Sequence, residues 1–453
     1  MTKLLINPKR ILSIVLLAFL ITLPANVDAQ KSKNKTNYSI SNDGKGKIKI
    51  SSNGKDFKIE YEGDITLSDD DKDIVAISRG GFIEIEKSSF GNRRRIVIES
   101  DRSGNLIRKY YEGRKEQNFN PDGKEWLAEV LQEIVRTTTI AAEARVDRFY
   151  GKGGANAVLG EIGQIESDYV KSKYFELLLE KNLSNSDLVN TIKTAGKEVE
   201  SDHYLSSILK SNQKAFLSNS QTVSAYLDAA KSLNSDHYMT SVLKKVINDK
   251  SINDSQMESL LELSKSVNSD HYVTQILSEV MDNRELNSQN ISKIISLSKD
   301  IQSDHYKTQV LKKVINDNGL PSNAYDAFLA TLSDVNSDHY ISDVIRTLMD
   351  KKLDASTGSL NNLLDLVKNS VQSDHYATTI YKRMGDQNLT EDQLIAVLNS
   401  LSNIQSDHYM SQTLLSFADK VKNSSERVKS AYRTAAKSIG SDHYYGRAVK
   451  AID

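Results

Sequence analysis

The tetrapeptide Ser-Asp-His-Tyr occurs eight times between residue 201 and the C terminus of this 453-residue chain. Successive copies are 34, 34, 34, 34, 36, 33 and 35 residues apart, and all eight histidines of the protein occupy the third position of the motif. A variant, Ser167-Asp168-Tyr169-Val170, lies one further period upstream. Recurrence at this length is typical of arrays in which each repeat is one supersecondary unit that stacks on its neighbours.

Each repeat carries two apolar stripes with helical spacing. In the unit 235–268, Tyr238, Val242 and Val246 share one stripe, and a second stripe follows a polar break at residues 248–251. Ser235 and Asp236 favour a helix start, because serine caps free amides and aspartate places negative charge at the positive end of a helix. The pattern predicts two helices per repeat, whose apolar faces are buried only when neighbouring repeats stack.

The predicted fold class is therefore mainly α, an α-solenoid of helical hairpins about 34 residues long, with the geometry of tetratricopeptide or HEAT-type arrays. The Trp-x-x-Leu-Gly-x-x-Tyr signature of tetratricopeptide repeats is absent. The array is predicted over residues 167–453. It comprises a degenerate first unit at 167–200, seven full repeats at 201–440 and a closing helix at 441–453.

The N-terminal third predicts three further regions. Lys3, Lys9 and Arg10 precede an apolar run and a small-residue site after Ala29, which is typical of a secretory signal peptide over residues 1–29. Alternating apolar and polar residues then predict a small antiparallel β domain at 30–116, with six or so short strands in a meander or sandwich. Helical spacing from Asp122 predicts a helical connector at 117–166.

Two short segments allow a ligand-binding interpretation beside a structural one. The run Ser68 to Asp73 contains four aspartates, but it lacks the glycine and the closing glutamate of an EF-hand loop, so we expect a solvated turn. The run Gly151 to Gly154 lacks the spacing of a phosphate-binding loop, so we expect a helix to stop there and restart at Ala155.

Composition excludes several function classes. Without cysteine the chain has no disulfide, thiolate nucleophile or Cys-ligated zinc site. With 59 basic and 60 acidic residues it has no charge excess to favour nucleic acid. Hydrolase and metallopeptidase motifs are absent, and adjacent Ser, Asp and His at a helix start point in different directions, unlike a catalytic triad. We predict a non-enzymatic protein with no cofactor, no metal, no nucleic-acid partner and, after signal cleavage, no membrane span.

The candidate site residues are the repeated motif, interpreted first as structural and second as binding. In this interpretation Ser and Asp cap the helix, Tyr fills the seam between repeats, and His bonds across the seam to a carboxylate or carbonyl. The set is Asp202, His203, Tyr204, Asp236, His237, Tyr238, Asp270, His271, Tyr272, Asp304, His305, Tyr306, Asp338, His339, Tyr340, Asp374, His375, Tyr376, Asp407, His408, Tyr409, Asp442, His443 and Tyr444.

Partner recognition in repeat arrays more often uses positions that differ between repeats. Here the position after the motif differs, and the expected recognition residues are Met239, Val273, Lys307, Ile341 and Ala377.

A family resemblance rests on several segments. They are Gly63-Asp64-Ile65 with Asp69-Asp70, Ser78-Arg79-Gly80-Gly81, the stretch from Trp126 to Val146, and Ile165 to Lys171. Over about residues 60–453 the chain resembles uncharacterised exported bacterial proteins in which a short β domain precedes repeats opening with Ser-Asp-Tyr or Ser-Asp-His-Tyr. Similar segments are attached to antibiotic-sensor-type zinc metallopeptidases. The resemblance implies architecture and export; the peptidase part has no counterpart here, so it implies no catalytic residue.

The function expected from the sequence is an exported, periplasmic or extracellular scaffold that presents a helical-repeat surface to a protein or peptide partner. The alternative is a pH- or metal-responsive sensor that uses the histidine row, since histidine changes charge in the physiological pH range. An envelope hydrolase is the third interpretation, and it would require a carboxylate pair that the sequence does not display.

Overall fold

The computed structural model describes residues 35–40, 45–52, 55–89, 91–249, 252–351 and 357–453. The predicted signal peptide lies outside these residues. The described chain divides into two compact units, and the division along the chain falls between Glu129 and Val130. That point lies within the predicted connector, so residues 130–166 belong to the same unit as the repeats. The predicted mainly helical fold, with repeated hairpins after a small antiparallel β domain, is confirmed.

The first unit is built on antiparallel strands. Its nine described strands are β1 (Lys35–Ile40), β2 (Lys45–Ser52), β3 (Lys55–Glu62), β4 (Ile65–Leu67), β5 (Ile74–Ile77), β6 (Phe82–Ser89), β7 (Asn92–Ser100), β8 (Leu106–Glu112) and β9 (Lys115–Gln117). Seven form one sheet in the order β1-β2-β3-β6-β7-β8-β9, and β4 and β5 pair separately. The sequence predicted fewer strands because β4, β5 and β9 are too short to show clear alternation.

The acidic run forms the turn of the β4–β5 hairpin. The Ser68 hydroxyl donates to Asp70 Oδ1 (2.7 Å) and accepts from the Asp73 amide (2.9 Å). The hydrogen bond from Ser68, together with that from the Lys72 amide, lowers the pKa of Asp70. Asp71 adopts a positive φ of 56°. These bonds fold the run as a polar turn, the interpretation the sequence favoured over a calcium loop.

The remaining described chain is helical. The helices are α1 (Lys124–Thr137), α2 (Ala142–Ile162), α3 (Asp168–Leu179), α4 (Asn185–Glu198), α5 (Asp202–Ser211), α6 (Gln213–Phe216), α7 (Ser220–Ala230), α8 (Asp236–Ile247), α9 (Asp254–Leu263), α10 (Asp270–Asn283), α11 (Ser288–Lys299), α12 (Asp304–Lys313), α13 (Tyr325–Leu332), α14 (Asp338–Asp350), α15 (Thr357–Ser370), α16 (Asp374–Gly385), α17 (Glu391–Ser400), α18 (Asp407–Lys422), α19 (Glu426–Ala436) and α20 (Asp442–Lys450). Within the described ranges, none has the length and apolar character needed to span a bilayer.

The α2 helix breaks at the glycine run, as the sequence predicted. Gly154 has φ 62° and ψ −154°, a conformation that favours glycine, and helical geometry resumes at Ala155. A straight helix would separate Arg145 from Glu161 by about 24 Å. The break brings them together, and the buried Arg145 guanidinium pairs with Glu161 at 2.7 Å and donates to the Tyr174 hydroxyl on α3. This contact fixes the connector against the first repeat unit.

The repeats stack in two layers of helices. The first helices of successive repeats pack in the order α3, α5, α8, α10, α12, α14, α16, α18 and α20, and the second helices in the order α4, α7, α9, α11, α13, α15, α17 and α19. Buried apolar side chains form one continuous cluster from Ala142 to Ile452. No repeat has a core of its own, so each depends on its neighbours for burial.

The second-helix layer also carries polar links between repeats. Glu262 on α9 accepts hydrogen bonds from Lys265 and from Lys293 on α11, and these two bonds lower the pKa of Glu262 to about 2. Because its folded pKa is below the ordinary value, the stabilisation that Glu262 provides is present at neutral pH. It is lost progressively as the pH falls below the ordinary pKa of glutamate and through the low folded value.

A single glycine tests how closely the second helices pack. A Cβ atom added at Gly196 on α4 would lie 2.8 Å from Ala229 Cα on α7, too close for carbon atoms. We expect Gly196→Ala to lower the free energy of unfolding by about 1–3 kcal/mol, measured by urea denaturation. Gly446→Ala on α20 is the matched control, because nothing lies within 4 Å of its added Cβ. It should raise stability by up to about 1 kcal/mol through helix propensity. Equal effects of the two changes would contradict the close packing.

Candidate binding site: the histidine–tyrosine ladder

Every first helix begins at the aspartate of its motif, and the preceding serine is the N-cap residue. The nine N-cap serines all have extended backbones, with φ between −90° and −76° and ψ between 115° and 120°. None of their side chains caps the helix. The predicted position of the helix start is confirmed, but the predicted capping role of serine is wrong.

The motif aspartate bonds to the next repeat. Asp270, for example, accepts from the amides of Gln302 (3.2 Å) and Ser303 (2.7 Å), which precede α12. The same pair of bonds occurs eight times in succession. Its acceptors are Asp168, Asp202, Asp236, Asp270, Asp304, Asp338, Asp374 and Asp407. Asp442 has no such bond within the described residues. The aspartate is therefore a link between repeats as well as a helix-terminus charge.

The histidine and tyrosine rings form a continuous ladder, which we define as the eight motif histidines, the eight motif tyrosines and Tyr169. Within a repeat the His and Tyr ring centroids are 5.1–5.4 Å apart. Each of the seven histidines from His203 to His408 also lies 5.7–6.1 Å from the tyrosine of the next repeat. These are favourable tilted or edge-to-face distances. The ladder therefore crosses every seam of the array from α5 to α20.

Histidine and tyrosine differ in burial. All eight motif tyrosines are half-buried and pack against the core, whereas all eight histidines are exposed. The Tyr340 hydroxyl lies 3.3 Å from His305 Nδ1, and the same contact recurs at Tyr238 and Tyr272. The prediction that tyrosine fills the seam is confirmed. The predicted bond from histidine to a carboxylate or carbonyl is wrong, because its contact across the seam is with the tyrosine.

The degenerate first unit extends the ladder with a different residue. Tyr169 occupies the place of the motif histidine, and its ring lies 6.2 Å from that of Tyr204. The fully buried Val170 takes the place of the motif tyrosine. An aromatic ring is therefore retained at the histidine position of this unit, where the Tyr169 side chain is half-buried.

A row of buried hydroxyls follows the motif and was missed in the sequence analysis. The second residue after each tyrosine from Tyr204 to Tyr409 is Ser206, Thr240, Thr274, Thr308, Ser342, Thr378 or Ser411, and all seven are buried. Thr308 bonds to the Asp304 carbonyl (2.7 Å), one turn back in the helix. The signal was present, since the repeated unit is Ser-Asp-His-Tyr-x-Ser/Thr in seven of eight copies.

The positions expected to recognise a partner are instead part of the core. Met239, Ile341 and Ala377 are at most 3% exposed, Lys307 is 5% exposed, and Val273 packs against the same core. These residues differ between repeats because each one fits its own interior. The expectation that these positions form an exposed recognition surface is wrong, because their side chains are buried or half-buried.

Polar groups border the ladder. Glutamine four residues after the histidine lies next to its Nε2 in three repeats, at 2.7 Å for Gln275 and 3.0 Å for Gln309 and Gln412. An open cavity of about 470 Å³ lies between α12 and α14. Its lining includes His305, Gln309, Lys312, Lys313, Tyr340 and Asp343.

Charges near this cavity are locally balanced. Lys312 Nζ lies 2.5 Å from Asp343 Oδ2, and Arg346 pairs with the other oxygen of Asp343 at 2.7 Å. Lys313 pairs with Asp282 and Asp317. We call this cavity between α12 and α14 the groove. It offers aromatic edges and hydrogen-bonding groups without a strong electrostatic field of either sign.

A second cavity lies in the first unit. It has a volume of about 580 Å³ and is lined by Lys87, Arg93, Arg94, Glu112 and Trp126, among others. Its two arginines already have acidic partners, Glu86 for Arg93 and Glu112 for Arg94. It is less distinctive than the ladder, whose rings recur in every repeat.

The arrangement supports binding chemistry. Across the described ranges, no group of three or more His, Asp or Glu side chains is arranged to hold a metal ion. Exposed imidazole groups and half-buried phenol groups donate and accept hydrogen bonds and pack against apolar or planar groups of a ligand.

Comparison with known proteins adds no functional assignment. No protein-family model matches the chain, and no curated protein matches it. Among solved structures, one similar chain comes from "Computational Design of Self-Assembling Cyclic Protein Homooligomers". It is 10% identical, the match covers 69% of this chain and 92% of the designed chain, and the TM-score is 0.10. A TM-score this low carries no argument, and the family resemblance stays a prediction.

The aspartate links give a direct stability test. We expect Asp270→Ala to lower the free energy of unfolding by about 1.5–3 kcal/mol in urea denaturation, because two amides lose a charged acceptor. Hydrogen exchange at the amides of Gln302 and Ser303 should accelerate. Asp442→Ala is the matched control, since Asp442 also begins a helix but has no described amide partner. If both variants lose the same stability, the helix-terminus charge would account for the effect and the link would contribute nothing.

Proposed function

We propose that this protein is an exported, non-enzymatic binding scaffold that presents the exposed face of its first helices, with the ladder at its centre, to an extended peptide segment of a partner protein. The observation that carries the proposal is the exposure of all eight histidines along one continuous row. Aspartate supplies hydrogen bonds that join the repeats, and tyrosine fills the seam between them. The imidazole contacts the tyrosine rings of its own repeat and of the next, yet it stays exposed and is therefore accessible to a partner.

The geometry favours a linear ligand over a compact one. The rings recur once per repeat along stacked helices, so equivalent groups lie in a line rather than around one pocket. Helical-repeat proteins bind through extended surfaces of this kind. The donors and acceptors of the ladder match the backbone of an extended peptide, which has unpaired N–H and C=O groups.

The sensor alternative gains no specific support from the site. Within the described residues, the eight imidazoles are exposed and belong to no group of side chains arranged to hold a metal ion.

The binding proposal is testable with a displayed library of random twelve-residue peptides. We expect selected peptides to bind the protein and to lose at least about tenfold in affinity when His237, His271 and His305 are replaced together by alanine. All three are exposed, so the variant should fold. The measurement is fluorescence anisotropy with the selected peptides.

A matched control removes three side chains from the second helices of the same repeats: Glu258→Ala, Ser296→Ala and Asp326→Ala. Its affinity should equal that of the unmodified protein. If no peptide is selected, or if both variants bind equally, the ladder is not a peptide-binding surface.

Export is supported by the charged and apolar pattern of residues 1–29. We expect the protein recovered from its native cells to begin at Gln30, because the small residues before it suit signal cleavage. Mass spectrometry of the N-terminal peptide measures this, with recovery from the envelope or medium fraction as the second readout. An intact N terminus on protein found inside the cell would refute export.

A further inference from the structure

We infer that the segment bound by the ladder is a proline-rich peptide in the polyproline II conformation, aligned with the array so that one turn of the peptide meets one repeat. This inference rests on the proposed function and identifies the chemistry of its partner. It follows from the spacing of the rings, the hydrogen-bonding groups around them and the balance of charge in the groove.

The spacing of the rings along the array matches the repeat of a polyproline II helix. Packed helices lie about 8–10 Å apart, and the first helices carry one His–Tyr pair each. Polyproline II has three residues per turn and a rise of about 3.1 Å per residue, so equivalent side chains recur about every 9 Å. Same-face side chains recur about every 6.6 Å in a β-strand, and the pitch of an α-helix is about 5.4 Å. Of these three forms, only polyproline II stays in register with one repeat per turn.

The hydrogen-bond donors of the ladder also suit a polyproline II peptide. Polyproline II has no internal hydrogen bonds, and proline has no amide donor, so such a peptide offers mostly carbonyl acceptors. The step at His305 presents matching donors, since the Tyr340 hydroxyl lies at His305 Nδ1 and the Gln309 amide at His305 Nε2. The tyrosine contact recurs at His203 and His237, and the glutamine contact at His271 and His408. These groups are exposed or half-buried and exchange their mutual contacts for peptide carbonyls.

The aromatic rings and the balanced charges of the groove also fit a neutral, proline-rich peptide. Proline-rich segments dock on surfaces lined with aromatic rings, where the pyrrolidine ring packs against a ring face or edge. The cavity between α12 and α14 has aromatic rings at His305 and Tyr340, and the cations Lys312 and Lys313 beside them have acidic partners. A neutral peptide fits this groove, whereas a strongly acidic or basic one gains little from it.

The register is tested with two synthetic peptides of identical composition and about four turns. The first has proline at every third position, and the second has the same residues with proline out of that period. We expect the first to bind the full-length mature protein at least about tenfold more tightly in fluorescence anisotropy. Its affinity should rise as turns are added, because each turn engages another repeat.

Variants locate the contact. Replacement of His237, His271 and His305 by alanine should weaken binding of the in-register peptide at least about tenfold, and the second-helix control described above should leave it unchanged. Tyr272→Phe with Tyr306→Phe and Tyr340→Phe keeps the rings and removes three hydroxyl donors. This variant should weaken the in-register peptide severalfold while remaining folded.

The outcomes separate this inference from the proposed function. If the two proline peptides bind equally or not at all, while library-selected peptides still require the three histidines, the polyproline inference falls and the scaffold stands. If library peptides also ignore the histidines, both fall. Circular dichroism of the free peptides verifies that each has polyproline II content, so that a difference in binding reports register.

Discussion

An aspartate at the start of one helix accepts two backbone hydrogen bonds from the loop that leads into the corresponding helix of the next repeat, and this contact recurs at eight successive junctions. Backbone N–H groups near a helix start need acceptors, and a carboxylate is a strong one. Because the aspartate and the amides belong to different repeats, the hydrogen bonds form only when the repeats stack in the correct register. The array thus acquires a directional polar contact at each seam in addition to its shared apolar core.

The motif divides into structural and exposed parts once this link is known. Aspartate fixes the loop, tyrosine packs against the core, and the following hydroxyl is buried in the helix. Histidine alone faces solvent, between the tyrosine of its own repeat and that of the next. Because the same exposed histidine recurs in every copy of the motif, this surface suits a ligand that is itself periodic. The proposed polyproline segment is such a ligand.

Variation between repeats has the opposite meaning from the one expected. Met239, Lys307, Ile341 and Ala377 follow the motif and differ in size, yet each is buried at the contact between helices. The first four repeat intervals are all 34 residues, so repeat length does not account for the differences, which belong to the packed interiors between helices. Side chains of different volume fill these interiors at native packing density. Residues that differ between repeats therefore indicate a recognition surface only where their side chains are exposed.

The spacing of the motif and the helical period of the apolar residues determined the two-helix repeat and the helix starts, and the alternation of apolar and polar residues determined the placement of the β domain, because these depend on local pattern. The break at Gly154 was likewise readable, since a glycine run stops a helix. The acceptor role of aspartate, the exposure of histidine and the burial of the following residue were decided only by stacking. They depend on which groups of neighbouring repeats come within bonding distance, and a sequence period fixes the interval along the chain but not the direction in which each side chain points.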